Sequence, residues 1–466
     1  MRKKSFYHYM MKRLLFFLAF VSVLLMACDN NDSFSNDRSH RLTFAVDTVR
    51  FDTLFTTVPS STRSFWIYNF SGDGLRVSSI RLERGNQSGF RVNVDGTFVN
   101  PVATDIEVRK GDSIRVFVEI TAYENRSKDP KLVEDNLLFT LESGAEQKVN
   151  LRTVSWDATK LTNLEVEEDM EIASDVPVVV YGAGIRVAEN ATLTIRNTTL
   201  YFHDGAGLQV EGKLIAENCL FRGDRLDHMF DYLTYDRVSG QWSGIVVKPR
   251  AAGCSLTNCT VRSAYHGLVA DSTVVSLEAS VIHNSKGYGL IAHDSELTLR
   301  NSLFSNALND CMALYGCTAE VDACTLAQFY AFSANRGAAL RFAPSDNYPL
   351  ALHFTNTLVT GLDDDVLMGV PRNEENVSYL FENCLLRTPA VDDAEAFVEI
   401  LWETIFDAVQ GAAHFQNVDP VNFIYDFRLK DTSPCVERTI GWKAAEIGKD
   451  DGADNSDNSD KSDNNE

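Results

Sequence analysis

The sequence predicts an all-β chain, with an antiparallel β-sandwich followed by a coil of stacked parallel strands. Three observations carry this. A phrase of the form apolar-x-Asn-small-x-apolar recurs eight times between residues 193 and 386, as in Ile195-Arg196-Asn197-Thr198-Thr199-Leu200. Its Asn position falls at Asn197, Asn218, Asn258, Ala279, Asn301, Ala323, Asn356 and Asn383, at intervals of 21, 40, 21, 22, 22, 33 and 27 residues. A repeat of about 21–22 residues cannot bury its own apolar face and has to stack on its neighbours. Finally, residues 43–155 show period-two alternation broken by Gly, Asn and Asp turns, the texture of a sandwich.

The elements follow in chain order. Residues 1–27 read as a signal peptide, with basic Arg2, Lys3, Lys4, Lys12 and Arg13 ahead of an apolar run, Leu14 to Met26, too short to span a bilayer. The run ends in Leu25-Met26-Ala27-Cys28, which resembles the bacterial lipobox. That resemblance implies cleavage before Cys28, acylation of Cys28 and durable membrane anchoring. Asp29 and Asp32 beyond it are similar to the acidic export signal of Bacteroidetes surface lipoproteins, which implies an outer-membrane, outward-facing protein with a lipidated linker over 28–42. In the sandwich region 43–155, Lys110-Gly111-Asp112-Ser113-Ile114-Arg115-Val116 resembles a turn and strand of immunoglobulin-like spacer domains, which mostly serve as stalks.

From 156 to about 440 the repeat dictates the fold. The residues two before and three after each Asn position are apolar in all eight copies, for instance Leu299 and Phe304 around Asn301. Strand alternation then makes each phrase two inward-facing strand ends joined at a bend. Asn suits the bend, since it tolerates the left-handed conformation and its amide can bond its neighbour one coil away. A structural ladder of Asn197, Asn218, Asn258, Asn301, Asn356 and Asn383 is therefore expected. A third strand opens each coil with Gly and an apolar pair, as in Gly207-Leu208-Gln209-Val210 and Gly289-Leu290-Ile291-Ala292. Three strands per coil make a single-stranded parallel β-helix. These residues resemble the right-handed parallel β-helix family, the fold of pectate lyases and their non-enzymatic relatives, over roughly 165–390. The phrase Asp426-Phe427-Arg428-Leu429 with Ser433-Pro434-Cys435 is similar to the closing phrase of bacterial surface β-helices, though Val436-Glu437-Arg438 departs from it. Ala394 to Val409 reads as an amphipathic helix that caps the last coil. The acidic tail 441–466 is expected to be disordered, since its stretch from Lys449 to Glu466 is mostly Asp, Asn and Ser with one Ala as its single apolar residue.

Charge and cysteines exclude several functions. With 65 Asp+Glu against 43 Lys+Arg and a formal charge of -22, the chain lacks the clustered cations that nucleic acid needs. Cys219, Cys259, Cys324 and Cys384 share one repeat slot with Ser and Thr, so buried free thiols fit better than disulfides, and no paired Cys or His spacing suggests zinc. No cofactor is expected.

One coil breaks the rhythm. Between Asn218 and Asn258 lie about 18 extra residues, concentrated over 222–242 and rich in rings and charges. Inserted loops on a repeat scaffold gather on one face. Asp224, Arg225, His228, Tyr232, Tyr235, Asp236, Arg237 and Trp242 of this loop, with His266, His283 and Tyr288 from the same turn of later coils, form the candidate ligand row. Rings for sugar stacking with carboxylates and Arg at the rim suit a polysaccharide, against the bland alternative of wet turns. No catalytic residue is assigned, because the closely spaced acids of β-helix hydrolases are missing. Asp363, Asp364 and Asp365 are the one acidic run that could attract Ca²⁺. The reading is a surface lipoprotein presenting a β-helix for glycan binding or a structural role; the alternative is a polysaccharide lyase or glycoside hydrolase acting through 222–242.

Overall fold

The computed structural model describes residues 33–230, 232–346, 348–372, 376–403 and 408–444. Cys28, the signal segment, Asp231 and nearly all of the acidic tail lie outside the described residues. The chain divides into two compact units, one over residues 1–125 and 130–155, the other over 126–129 and 156–466.

The first unit carries two sheets. One runs Thr43–Phe44, Arg63–Tyr68, Ser113–Ile120, Phe90–Val94 and Thr97–Phe98. The other is built on the long antiparallel pair Lys131–Leu141 and Glu146–Trp156. Alternation decides their faces: in Ser113–Ile120 the residues Ile114, Val116, Val118 and Ile120 are buried between outward neighbours. They join Ile67, Val92, Leu137, Phe139 and Leu151 in one apolar core.

The second unit is a right-handed parallel β-helix whose strands stack in three columns. The first column holds the coil-opening strands Gly207–Val210, Ile245–Val247, Leu268–Asp271, Leu290–His293, Met312–Tyr315 and Leu340–Ala343. The second holds the strands entering each bend, such as Glu296–Arg300, and the third those leaving it, such as Leu303–Ala307. All eight bend residues have positive φ, from +43° at Asn301 to +55° at Asn218, including Ala279 at +49° and Ala323 at +52°. Apolar residues from every coil fill the interior, Ile195, Leu256, Leu299 and Phe354 among them. Cys219, Cys259, Cys324 and Cys384 are free and buried in the small slot after the bend.

The ladder of amides runs in pieces. Asn218 donates to Asn197 Oδ1 at 3.0 Å, Asn258 to Asn218 at 2.8 Å and Asn383 to Asn356 at 2.8 Å. Asn356 turns instead to Asp322 (2.8 Å), and Asn301 is bracketed by the Lys443 backbone, giving Nδ2 to its carbonyl and accepting from its N–H. The alanines at two bends are the reason for the gaps.

The expected helix over Ala394–Val409 is corrected over residues 394–403. Phe397–Val398 and Leu401–Trp402 are strands that pair with Phe381 and Leu386 of the preceding coil, bent at Glu399 with φ +55°. Phe397 through Trp402 is thus a ninth copy of the bend phrase, with Glu in place of Asn and Ile400 in the small slot. The open strand edge supplies hydrogen bonds that outweigh local helix periodicity. Of the rest of the expected helix, residues 404–407 lie outside the described residues, and Ala408–Ala413 is helical. Beyond it, Phe415–Asp419 and Ile424–Leu429 form a hairpin whose Phe415 and Phe427 pack with Phe329, Cys435 and Trp442 against the third column.

Candidate functional site

The inserted loop is held together by its own charges. Asp236 receives both Arg222 (2.9 Å) and Arg262 (3.0 Å), and the Arg222 side chain is 7% exposed. Arg225 grips Asp227 through two nitrogens and lies 3.9 Å from the Tyr235 ring centroid. Arg237 donates to the Asn422 carbonyl at 3.3 Å. The loop folds as a hairpin, His228–Phe230 against Leu233–Thr234, followed by a short 3₁₀ turn at Tyr235–Arg237. At its tip Tyr232 stacks on Phe230 at 5.6 Å and is 72% exposed.

Two members of the expected row are covered by the protein itself. Trp242 is buried, stacked on Phe202 at 4.3 Å, with Nε1 donating to the Arg262 carbonyl at 2.9 Å. Its position after the loop is where the chain re-enters the coil, so the ring fills the core. His283 points outward from the third column but is roofed edge-on by Tyr425 and Phe427 of the C-terminal hairpin. Burial, aided by the nearby Arg262 charge, pushes its pKa down to about 4, and Nδ1 bonds the Ser305 hydroxyl at 2.9 Å. The calcium candidate is also corrected. Asp363 is held by Arg336 (2.9 Å) and Asp364 meets Arg387 (3.4 Å), while Asp365 accepts the Leu367 N–H. The three consecutive carboxylates fan apart through a bend, and two of them find cations. Among the described residues no cluster of His, Cys, Asp or Glu could hold a metal ion.

The loop does contribute one hydrogen-bonded imidazole–carboxylate pair. Tyr181, His203 and Asp224 occupy one row on successive coils, each directly after register-paired strand residues. His203 Nδ1 lies 2.7 Å from Asp224 Oδ2, with the imidazole half exposed and the carboxylate largely covered. Burial raises the Asp224 pKa against the opposing pull of His203.

Stacked coils build a second and larger arrangement on the outer face of the first column. Backbone pairing places His266, Tyr288 and Asp310 in one line, each just before a coil-opening strand. The outward residues of those strands, Val269, Ile291 and Ala313, form the next line. Asp271, His293 and Tyr315 form the third. A floor of apolar residues therefore runs between two rows of rings. His266 stacks with Tyr288 at 5.7 Å and meets Tyr265 edge-on at 4.8 Å, while His293 stacks flat on Tyr315 at 4.9 Å. Tyr288 N–H donates to His266 Nδ1 at 3.1 Å, which fixes that nitrogen as an acceptor, and burial lowers the His266 pKa. Gly287 makes this possible, because a Cβ there would lie 2.4 Å from the His266 ring. Of the expected row, only His266 and Tyr288 stand here. His293, Tyr315 and Arg341 were missed; the signal for them is the outward position of each coil-opening strand, which the Gly-apolar pattern itself marks.

A family model described as right-handed beta helix region matches residues 243–343, the coils that carry this face. No curated protein matches the chain. Among solved structures, the catalytic unit of a thermostable GH87 alpha-1,3-glucanase from Streptomyces thermodiastaticus strain HF3-3 is similar at 9% identity and TM-score 0.26, covering 73% of this chain and 89% of that one. A family 123 glycoside hydrolase from Clostridium perfringens matches at 9% identity and TM-score 0.19, and the VesB protease of Vibrio cholerae at 14% and 0.18. The matched regions cover 27% and 25% of this chain, and only 26% and 32% of those two proteins. At these scores none of them bears on what this chain does.

Proposed function

We propose that the protein is a glycan-binding module: a β-helix that a lipid on Cys28 tethers to the outer membrane, facing outward, with the two-sheet unit as an immunoglobulin-like stalk. The observation that carries the reading is the pair of ring rows, His266–Tyr288 and His293–Tyr315, flanking an apolar floor on adjacent coils. Sugar rings present C–H faces that pack on aromatic rings, and parallel strands repeat at ~4.8 Å. An extended oligosaccharide lying across several coils thus meets ring after ring. The loop 222–242 borders this face as a charge-paired scaffold. The test is a polysaccharide panel against the purified protein, scored for retention and for new reducing or unsaturated ends. Retention without cleavage, lost on replacing Tyr288 and Tyr315 by Ala, supports binding; absence of retention across the panel sinks it.

A second reading, a lyase or hydrolase, is favoured by the His203–Asp224 pair. A carboxylate that orients an imidazole prepares it to accept a proton. New ends in the same panel that vanish in His203→Ala would establish this reading over the first.

A further inference from the structure

We infer that Arg341 is an oxyanion subsite at the end of the ring-lined face, so that the glycan bound there carries carboxylate or sulfate groups. This rests on the glycan-binding reading above and adds the chemical class of ligand.

Arg341 is the outward residue of Leu340–Ala343, paired in register with Ala313 at the end of the apolar floor. Its guanidinium reaches back one coil to Asp310, where Nε donates to Oδ2 at 2.8 Å. Asp310 is 4% exposed at its side chain, and its other oxygen accepts the Ala338 N–H at 2.7 Å. Gly337 leaves the room for this, since a Cβ there would lie 2.7 Å from Asp310 Oδ1 and 2.5 Å from the Asn309 carbonyl. The buried carboxylate is thereby fully used in holding the arginine by one edge.

What remains is the fork of terminal nitrogens. No hydrogen bond joins Nη1 or Nη2 to any described residue, and the side chain is 39% exposed. Several arginines of the β-helix differ. Arg186, Arg196, Arg262, Arg336 and Arg372 each meet an acid through a terminal nitrogen. Tyr288 and Tyr315 lie within electrostatic reach of Arg341, one from each ring row. A sugar packed between them would carry its acidic substituent to the guanidinium fork, whose planar geometry matches a carboxylate or sulfate through two N–H groups. With a formal charge of -22, the chain as a whole repels polyanions, so any preference for acidic glycans has to arise at a local fork of this kind.

The experiment is calorimetric titration of the full chain with four probes: a hexameric oligoglucuronate, its methyl ester, a sulfated glucan hexamer and a neutral glucan hexamer. The expected result is binding of the uronate, the sulfated probe or both at least ~10-fold tighter than the uncharged probes, a preference that Arg341→Gln abolishes. Comparing the two anionic probes tells carboxylate from sulfate. Arg341→Lys, which keeps the charge without the fork, should recover only part of the preference. Because Arg341→Gln strands a buried carboxylate, the double variant Asp310→Asn, Arg341→Gln is made alongside, and its thermal melt confirms folding. Equal binding of acid and ester, or a preference that survives in the folded double variant, overturns the subsite and leaves glycan binding standing. No binding of any probe overturns both.

Discussion

Asn258 gives its side-chain amide to Asn218 at 2.8 Å, yet its own Oδ1, buried, accepts nothing among the described residues. The next bend is Ala279, which has no amide to offer and sits at φ +49°. The ladder breaks there, and the break is both an unsatisfied acceptor and a strained backbone.

Ala279→Asn should therefore stabilise the protein. It supplies a donor to Asn258 and places at a left-handed bend a residue that tolerates it, each worth about 1 kcal/mol. Urea unfolding should show a higher midpoint with an unchanged slope; a lower midpoint would mean that the site has no room for the amide.

His283 makes stability pH-dependent. Its folded pKa of about 4 lies below the unfolded value of 6.5, so the unfolded chain binds the extra proton. The stability it contributes is complete above pH 6.5 and is lost as the pH falls toward 4. The shift sets an upper bound of about 3 kcal/mol, reduced by the ring's residual solvent contact. Melting temperatures of wild type and His283→Asn should converge as pH falls across that window. Parallel curves would refute the assignment.

Trp242→Ala should behave as a core mutation, costing about 3–5 kcal/mol, because it removes the ring stacked on Phe202 and strands the Arg262 carbonyl. Conservative Trp242→Phe should cost less and leave glycan retention unchanged. Loss of retention in a stably folded Trp242→Phe would return the residue to the binding face.

The buried thiols should resist modification. Cys254 and Cys324 are pushed up to about 12 by burial, and all eight described cysteines are enclosed. A thiol-reactive disulfide reagent should find none of these eight in the native protein and all of them in denaturant. Rapid native labelling of any of them would show that the coil opens locally.

The coil was legible because its period is written in residue types. Apolar positions two before and three after the bend, small residues in the slot and Asn at the turn are demands of one coil upon the next, so they repeat along the chain. The ninth coil escaped, since Phe397-Val398-Glu399-Ile400-Leu401-Trp402 lacks both the Asn and the small residue and its spacing mimics a helix. The ring-lined face was half legible. His266 and Tyr288 lie in turns and stood out as polar residues, whereas His293, Tyr315 and Arg341 lie on strands whose outward positions looked like ordinary surface.

The sequence by itself determined the architecture, the core and the left-handed bends, because those depend on local conformation and on contacts repeated at a constant spacing. Only the tertiary structure decided which charges are spent and which remain available. Asp236 meets Arg222 and Arg262, the latter 26 residues away, and Asp363 is taken by Arg336, while Arg341 is gripped by Asp310 at one edge alone. Partner choice among charges follows from which coil lies above which and from how far turns and inserted loops lengthen each coil, so these partners lie from 14 residues apart (Arg222 and Asp236) to 31 (Asp310 and Arg341).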